Sequence, residues 1–139
     1  MGVLQKSFRV PTRGHSDVLD ITSRVARVVA ESGVRHGIVN VAGVGSTLGI
    51  TTLEFESGCV ADLRRALDQI APASGDYAHN ARWGDGNGYA HLRSALVGSA
   101  RSFPVAEGRI LTGTWQQIVL CDFDNRARER QVLVTVVGE

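Results

Sequence analysis

The residue types best suited to chemistry crowd into one stretch, Ala81 to Gly98, which reads ARWGDGNGYAHLRSALVG. Glycines let backbone approach a ligand closely, and a helix that follows them offers free N–H groups and a positive dipole end to an anion. By itself the stretch reads as a ligand-facing loop suited to an anion, and His91 and Arg93 fall within the first turns of the helix, near that positive end. The glycines fit no phosphate-loop spacing, and no Lys-Ser or Lys-Thr pair follows them. A second cluster runs from Gly45 to Glu54. There, a carboxylate at a strand end beside the Ser46-Thr47 turn could hold a metal or a substrate hydroxyl.

The elements that must position these groups follow from periodicity. Lys6 to Thr12 reads as a first strand, placed at a sheet edge by Pro11, and Arg13-Gly14-His15 reads as a turn. Ile21, Val25, Val28 and Val29 then fall at helical spacing, with Thr22 as N-cap and Gly33 as C′ residue. Gly37 to Val44 and Leu48 to Phe55 are β-branched runs about three residues apart, which favours an antiparallel pair. Ser57 can cap a second helix whose Val60, Leu63, Leu67 and Ile70 form its core stripe, with Pro72 closing it. The opposite face, with Asp62, Arg64, Arg65, Asp68 and Gln69, reads as solvated.

Residues 72 to 88 carry no regular pattern, and a loop of about seventeen residues inside a compact domain is usually functional or disordered. Tyr77, His79 and Trp83 supply ring surface that a solvated linker does not need. A short third helix is predicted over Tyr89 to Val97, ending at Gly98. Strand patterns follow at Ser102 to Val105, Arg109 to Leu111, Trp115 to Phe123 and Gln131 to Val137, the last two read as a hairpin around Asp124-Asn125. Because VLVTVV is apolar on both faces, its strand should be covered on both sides, by helices or by another subunit. The fold class that results is α+β: a mainly antiparallel sheet or pair of sheets of about seven strands, with two longer helices and one short one.

The totals exclude several classes. The 139 residues suit one domain. With 43% hydrophobic residues, 21% charged residues and a net charge of +1, the composition is that of a soluble protein, and no field argues for nucleic acid. No run of eighteen apolar residues and no secretory leader pattern occurs, which makes the cytoplasm the expected compartment and a membrane partner unexpected. Cys59 and Cys121 are too few for a disulfide framework or a CxxC zinc site and read as buried or half-buried thiols. His15 and His36 read as solvated loop residues.

Three segments in order resemble the YjbQ-like family, named after a secondary thiamine-phosphate synthase activity: GSTLGITTLE (45–54), YAHNARWGDGNGYAHLRSALVG (77–98) and EGRILTGTWQQIVLCDFD with RQVLVTVVGE at the end (107–139). The resemblance implies a small cytoplasmic α+β protein that assembles as a homotrimer, with a polar site built from an HTTA turn, an NE pair and a loop-helix His. Position by position, the chain keeps Thr47, Glu54, His79, Asn87, His91, Trp115 and Gln116, and has Arg93 where the family has Lys. It departs at three places: Gly45 stands for the His of HTTA, Leu53 for the Asn of NE, and Ser57 for a nearby Asp.

The family reaction joins a pyrimidine diphosphate to a thiazole phosphate with loss of pyrophosphate, so it needs stabilised leaving-group charge and a positioned nucleophile. Carried over, the resemblance implies His91 and Glu54 as catalytic groups. It implies Ser46, Thr47, His79, Asn87, Arg93, Trp115 and Gln116 as substrate-binding groups, and a small phosphorylated molecule or other anion as ligand. Mg²⁺ would accompany a retained reaction, although the separations of His79, His91 and Glu54 form no recognisable metal motif. Losing an imidazole, a carboxamide and a carboxylate from one site leaves two readings open: a thiamine-phosphate-synthase-like enzyme, or a non-catalytic trimeric ligand-binding or scaffold homologue.

Overall fold

A computed structural model describes all 139 residues. The order of elements is β1 (Gly2–Thr12), β2 (Asp17–Asp20), α1 (Thr22–Ser32), β3 (His36–Gly43), β4 (Leu48–Leu53), α2 (Ser57–Ile70), α3 (Ala78–Trp83), α4 (Gly88–Val97), β5 (Ala100–Ala106), β6 (Arg109–Ile110), β7 (Gln117–Asp122) and β8 (Arg128–Gly138). They form a five-stranded sheet in the order β1-β8-β3-β5-β6 and a three-stranded sheet in the order β2-β7-β4. Every pairing is antiparallel, and the fold is α+β. No helix is long and apolar enough to cross a membrane.

The two sheets face each other across a core that side-chain alternation dictates. Val132, Val134 and Val136 of β8 point into it, as do Val39 and Val41 of β3, Leu48 and Ile50 of β4, and Ile118 and Leu120 of β7; Val25, Val28 and Val29 of α1 close one side. The alternate residues of β7, Val119 and Cys121, face the other way and pack under Val60 and Leu67 of α2 and Tyr89 and Ala90 of α4. β7 is thus buried on both faces, which explains its continuous apolar run. The alternate residues of β8, by contrast, lie on the outer face of the larger sheet, where no helix of the chain covers them.

Two expected hairpins are not hairpins. β3 and β4, read as an antiparallel pair, lie in different sheets, and so do β7 and β8. The segments 44–47 and 123–127 each carry the chain across the core rather than folding it back. They are tied together, since the Phe123 N–H donates to the Thr47 carbonyl at 2.9 Å. Residues with turn propensity sit in both segments, but buried side chains and not the turn itself decide where the next strand goes.

Smaller corrections have local causes. α1 starts at Thr22 with Ile21 in the cap position, and the Asp20 carboxylate accepts from the Thr22 N–H at 2.9 Å. At α2 the cap is Glu56, whose carboxylate accepts from the Gly58 and Cys59 N–H groups, so Ser57 is the first helical residue. Ile70, assigned to the core stripe, is the last residue of α2, beyond its buried Val60 and Leu67, and is 62% exposed. α3 and β2 escaped the periodicity argument, being six and four residues long.

Candidate functional site

α4 carries His91 to its place through three contacts with β4. Ser94 Oγ donates to the Leu48 carbonyl, the Ile50 N–H donates to the Gly98 carbonyl at 3.0 Å, and Gly49 has no side chain to hold the helix off. A Cβ at Gly49 would sit 2.8 Å from Val97 Cγ1 and 3.0 Å from Phe123 Cε2, closer than packed atoms tolerate. With the helix seated this low, Gly45, Ser46, His91, Ser94 and Ser99 line one open cavity of about 400 Å³.

The glycine-rich loop is fixed from both ends. Asn80 of α3 accepts from the Gly88 N–H at 2.9 Å, supplying a cap for the first turn of α4. The Asn87 side chain reaches away from the helix and donates to Asp124 at 3.2 Å. His79 is brought against His91, ring centroids 4.3 Å apart and tilted by 40°, with its Nδ1 3.6 Å from Asp85 Oδ1. That Nδ1 and the Asn87 Oδ1 are buried without a hydrogen-bond partner. Unpaired polar atoms of this kind cost free energy and are retained mostly where a ligand or water completes them.

Beneath the cavity lies a buried charge network. Arg130, 3% exposed, grips Asp122 with two bonds, Nε to Oδ2 at 2.7 Å and Nη2 to Oδ1 at 2.8 Å. The same Nη2 donates to Thr47 Oγ1 at 2.6 Å, and the Thr47 hydroxyl in turn donates to Asp124 Oδ2 at 3.0 Å. Arg128 closes on Asp124 at 2.7 Å. Burial alone raises the pKa of both aspartates. It is outweighed at Asp122 by hydrogen bonds from Arg130, Thr12 and the Asp124 N–H, and at Asp124 by those from Asn125, Asn87 and Thr47 with the Arg128 charge, so both lie below the ordinary carboxylate value. These contacts use Nε and Nη2 of Arg130 and leave Nη1 over. That atom is 3.0 Å from where a Cβ at Gly45 would stand, so no side chain at 45, a residue of the cavity wall, covers it.

The candidates from the sequence therefore divide. Ser46, Thr47, His79, Asn87 and His91 gather around the cavity and the network under it. Glu54 is at the far end of β4, about 20 Å from Thr47 along an extended strand, and is exposed. Gln116 is at that end too, its amide donating to Thr52 at 3.3 Å, with Trp115 beside it and 71% exposed. Arg93 faces away from His91, because two residues turn a helix through about 200°. It is buried and donates to the Ala71 carbonyl, Ser16 Oγ and Asp68 Oδ1. Arg64 and Asp68, read as a solvated face, share that surroundings.

No three His, Cys, Asp or Glu side chains gather at metal-binding separations. The carboxylates nearest the cavity are engaged by Arg128 and Arg130, which leaves no set of free oxygens of the kind Mg²⁺ requires. The residues of one chain do not fit that ion. Sequence reasoning missed Asp122, Asp124, Arg128 and Arg130. Their signal was available: two acids and two bases, each pair two apart, bracket the turn between an apolar strand end and the charged start of the next strand.

The family model described as UPF0047 protein YjbQ-like matches residues 6–139. The chain belongs to the YjbQ-like UPF0047 family. A UPF0047 protein of Methanothermobacter thermautotrophicus is 36% identical over 139 residues, all of this chain and 95% of that one. The UPF0047 protein YugU of Bacillus subtilis is 31% identical over 96% of this chain and 98% of its own. Among solved structures, a YbjQ-like protein of unknown function from Sulfolobus solfataricus superposes with a TM-score of 0.94 at 33% identity, covering 99% of both chains. An uncharacterized conserved protein of the family from Clostridium acetobutylicum gives 0.87 at 32% identity, covering 95% of this chain and 99% of that one. The YjbQ-like fold is thus shared along nearly the whole chain.

Proposed function

We propose that this YjbQ-like protein binds a small phosphorylated molecule, seating its phosphoryl group in the cavity between the 44–47 segment and α4. The observation that carries this reading is the buried Arg130, whose Nη1 faces the side-chain-free Gly45 at the cavity wall. Ser46 offers a hydroxyl and His91 an imidazole from opposite walls. Charge-assisted hydrogen bonds from a desolvated guanidinium are among the stronger contacts an oxyanion can find.

The finer reading, a thiamine-phosphate-synthase-like transfer, has less support from one chain. His91 and Glu54, its two proposed catalytic groups, stand at opposite ends of β4, so that reading calls for Glu54 of a second copy. A homotrimer is our proposed assembly. Its support is an apolar row across the uncovered face of the larger sheet, where Val3 pairs with Val137, Val137 with Ile38, and Ile38 with Pro104; Val3, Ile38 and Val137 are 67%, 55% and 39% exposed. Such a row marks an interaction surface. Two free thiols suit a cytoplasmic location.

Purified protein with the pyrimidine diphosphate and the thiazole phosphate tests both readings. The binding reading expects ligand-induced thermal stabilisation that Ser46→Ala and His91→Ala reduce, without turnover in the wild type. Turnover abolished by His91→Ala would replace it with the transferase. The Gly45→His, Leu53→Asn double variant, which restores two family residues, then asks whether turnover can be regained. Neither stabilisation nor turnover would sink both.

A further inference from the structure

On the other side of α4 from His91, a second cavity of about 160 Å³ lies between the β1–β2 turn, α2 and α4. Two guanidinium groups converge on one residue there: Arg64 Nε donates to the Ser16 carbonyl at 2.9 Å, and Arg93 Nη1 to Ser16 Oγ at 2.8 Å. Arg93 is 3% exposed and Arg64 half-buried. His15 and the ring of Tyr89, 5% exposed, complete the wall. The single carboxylate is Asp68, which accepts from Arg93 at 2.9 Å with a side chain 69% exposed.

Donors outnumber acceptors in this cavity. Each guanidinium has five N–H groups. Arg64 commits Nε alone, and Arg93 donates to three partners, so N–H groups of both remain over. Because Ser16 Oγ accepts from Arg93, its own O–H is left to donate, and Tyr89 brings another hydroxyl. Two like charges in a partly desolvated space repel unless a counter-charge joins them, and Asp68, the one carboxylate lining the cavity, is mostly solvated and supplies little. The turn that presents Ser16 is also unusual. Gly14, His15 and Ser16 have φ of 75°, 54° and 60°, a left-handed run that non-glycine residues rarely adopt and that persists only where its surroundings enforce it. The enforcing bonds are present: the His15 N–H donates to the Asp124 carbonyl at 2.7 Å and the Asp17 N–H to the Gly14 carbonyl at 3.1 Å. At Gly14, a Cβ would stand 2.4 Å from the Arg126 carbonyl oxygen.

We propose that this cavity is a second binding site, for a tetrahedral oxyanion of the phosphate class held by Arg64 and Arg93 with the hydroxyls of Ser16 and Tyr89. Its volume is below the roughly 300 Å³ at which pockets begin to take whole small molecules, so the ligand is a single phosphate group or one projecting from a larger molecule outside. The site shares no lining residue with the cavity beside His91 and stands whether or not that one binds a ligand.

The test is a titration of ¹⁵N-labelled full-length protein with inorganic phosphate at constant ionic strength, reading the side-chain Nε–Hε resonances of Arg64 and Arg93. Both should shift saturably with one affinity. Arg64→Gln should weaken that affinity at least about tenfold, the loss expected for one charged hydrogen-bonding group, and Tyr89→Phe, which removes only an oxygen, should weaken it by a smaller factor. Ser46→Ala, in the other cavity, should leave it unchanged. A linear, unsaturating shift, or equal affinity in wild type, Arg64→Gln and Tyr89→Phe, overturns the proposal.

Discussion

Thr47 and Asp124 meet at 3.0 Å, hydroxyl to carboxylate, at the point where both crossings between the two sheets pass each other. Thr47 also accepts from Arg130, so its oxygen is the middle atom of a chain of buried charges. Thr47→Val keeps the shape and removes that oxygen, leaving Arg130 and Asp124 each short of a partner. The expected loss is about 1–3 kcal/mol of unfolding free energy, measured as a lower urea midpoint at unchanged slope.

The two buried aspartates set an acid limit. Their folded pKa values lie below the ordinary one, so the stability they contribute is complete above the unfolded value of about 3.9 and is lost as pH falls through the folded values. Unfolding free energy should therefore drop from about pH 4 downward. Asp122→Asn should be less stable at neutral pH and show a shallower decline in the acid range. An equally steep decline in the variant would remove Asp122 from the account.

Gly45 lies against Arg130 Nη1. Gly45→Ala places a methyl group 3.0 Å from Nη1 and 3.1 Å from Leu48 Cδ2, a tight but accommodable fit. Binding of a phosphorylated ligand beside Ser46 and His91 should weaken about tenfold, the equivalent of one charge-assisted contact, with little change in thermal stability. Titration calorimetry separates the two effects.

The thiols should differ sharply. Cys121 is wholly buried, and burial pushes its pKa up to about 12, whereas Cys59 is partly open. A disulfide reagent at pH 8 should titrate no more than one thiol in the native protein and two in urea. Two fast-reacting thiols in the native state would contradict the packing of β7 beneath α2 and α4.

The uncovered face of the larger sheet predicts assembly. Wild-type protein should sediment at three times the 14.9 kDa of the chain. Ile38→Glu puts a charge in the middle of the apolar row and should shift the population to monomer without unfolding it. A wild-type monomer at micromolar concentration would overturn the trimer.

Much of the fold was legible because it is written in single-element patterns. Val25, Val28 and Val29 announce α1, Gly33 ends it in the left-handed conformation with φ of 69°, and α4 begins within one residue of its expected start. What the sequence concealed is which strands pair. Gly45-Ser46-Thr47 and Asp124-Asn125 have the residues of hairpin turns, yet the burial of the Thr47 and Asp124 side chains sends each following strand to the opposite sheet. The candidate site was half legible for a related reason. Ser46, His79, Asn87 and His91 were found on loops and helix starts, while Arg130 lies in the charged run from Arg126 to Gln131, which reads as a solvent-facing strand start. Arg93 read as site-facing until the helical turn placed it opposite His91.

The 44–47 segment separates two obligations that are usually fused. Thr47 is a strut between the sheets and tolerates little change, whereas Gly45 and Ser46, two positions and one position earlier, are exposed and hold no strand in place. Substitutions at 45 and 46 can therefore change what the cavity wall offers a ligand while leaving the joint between the sheets as it is.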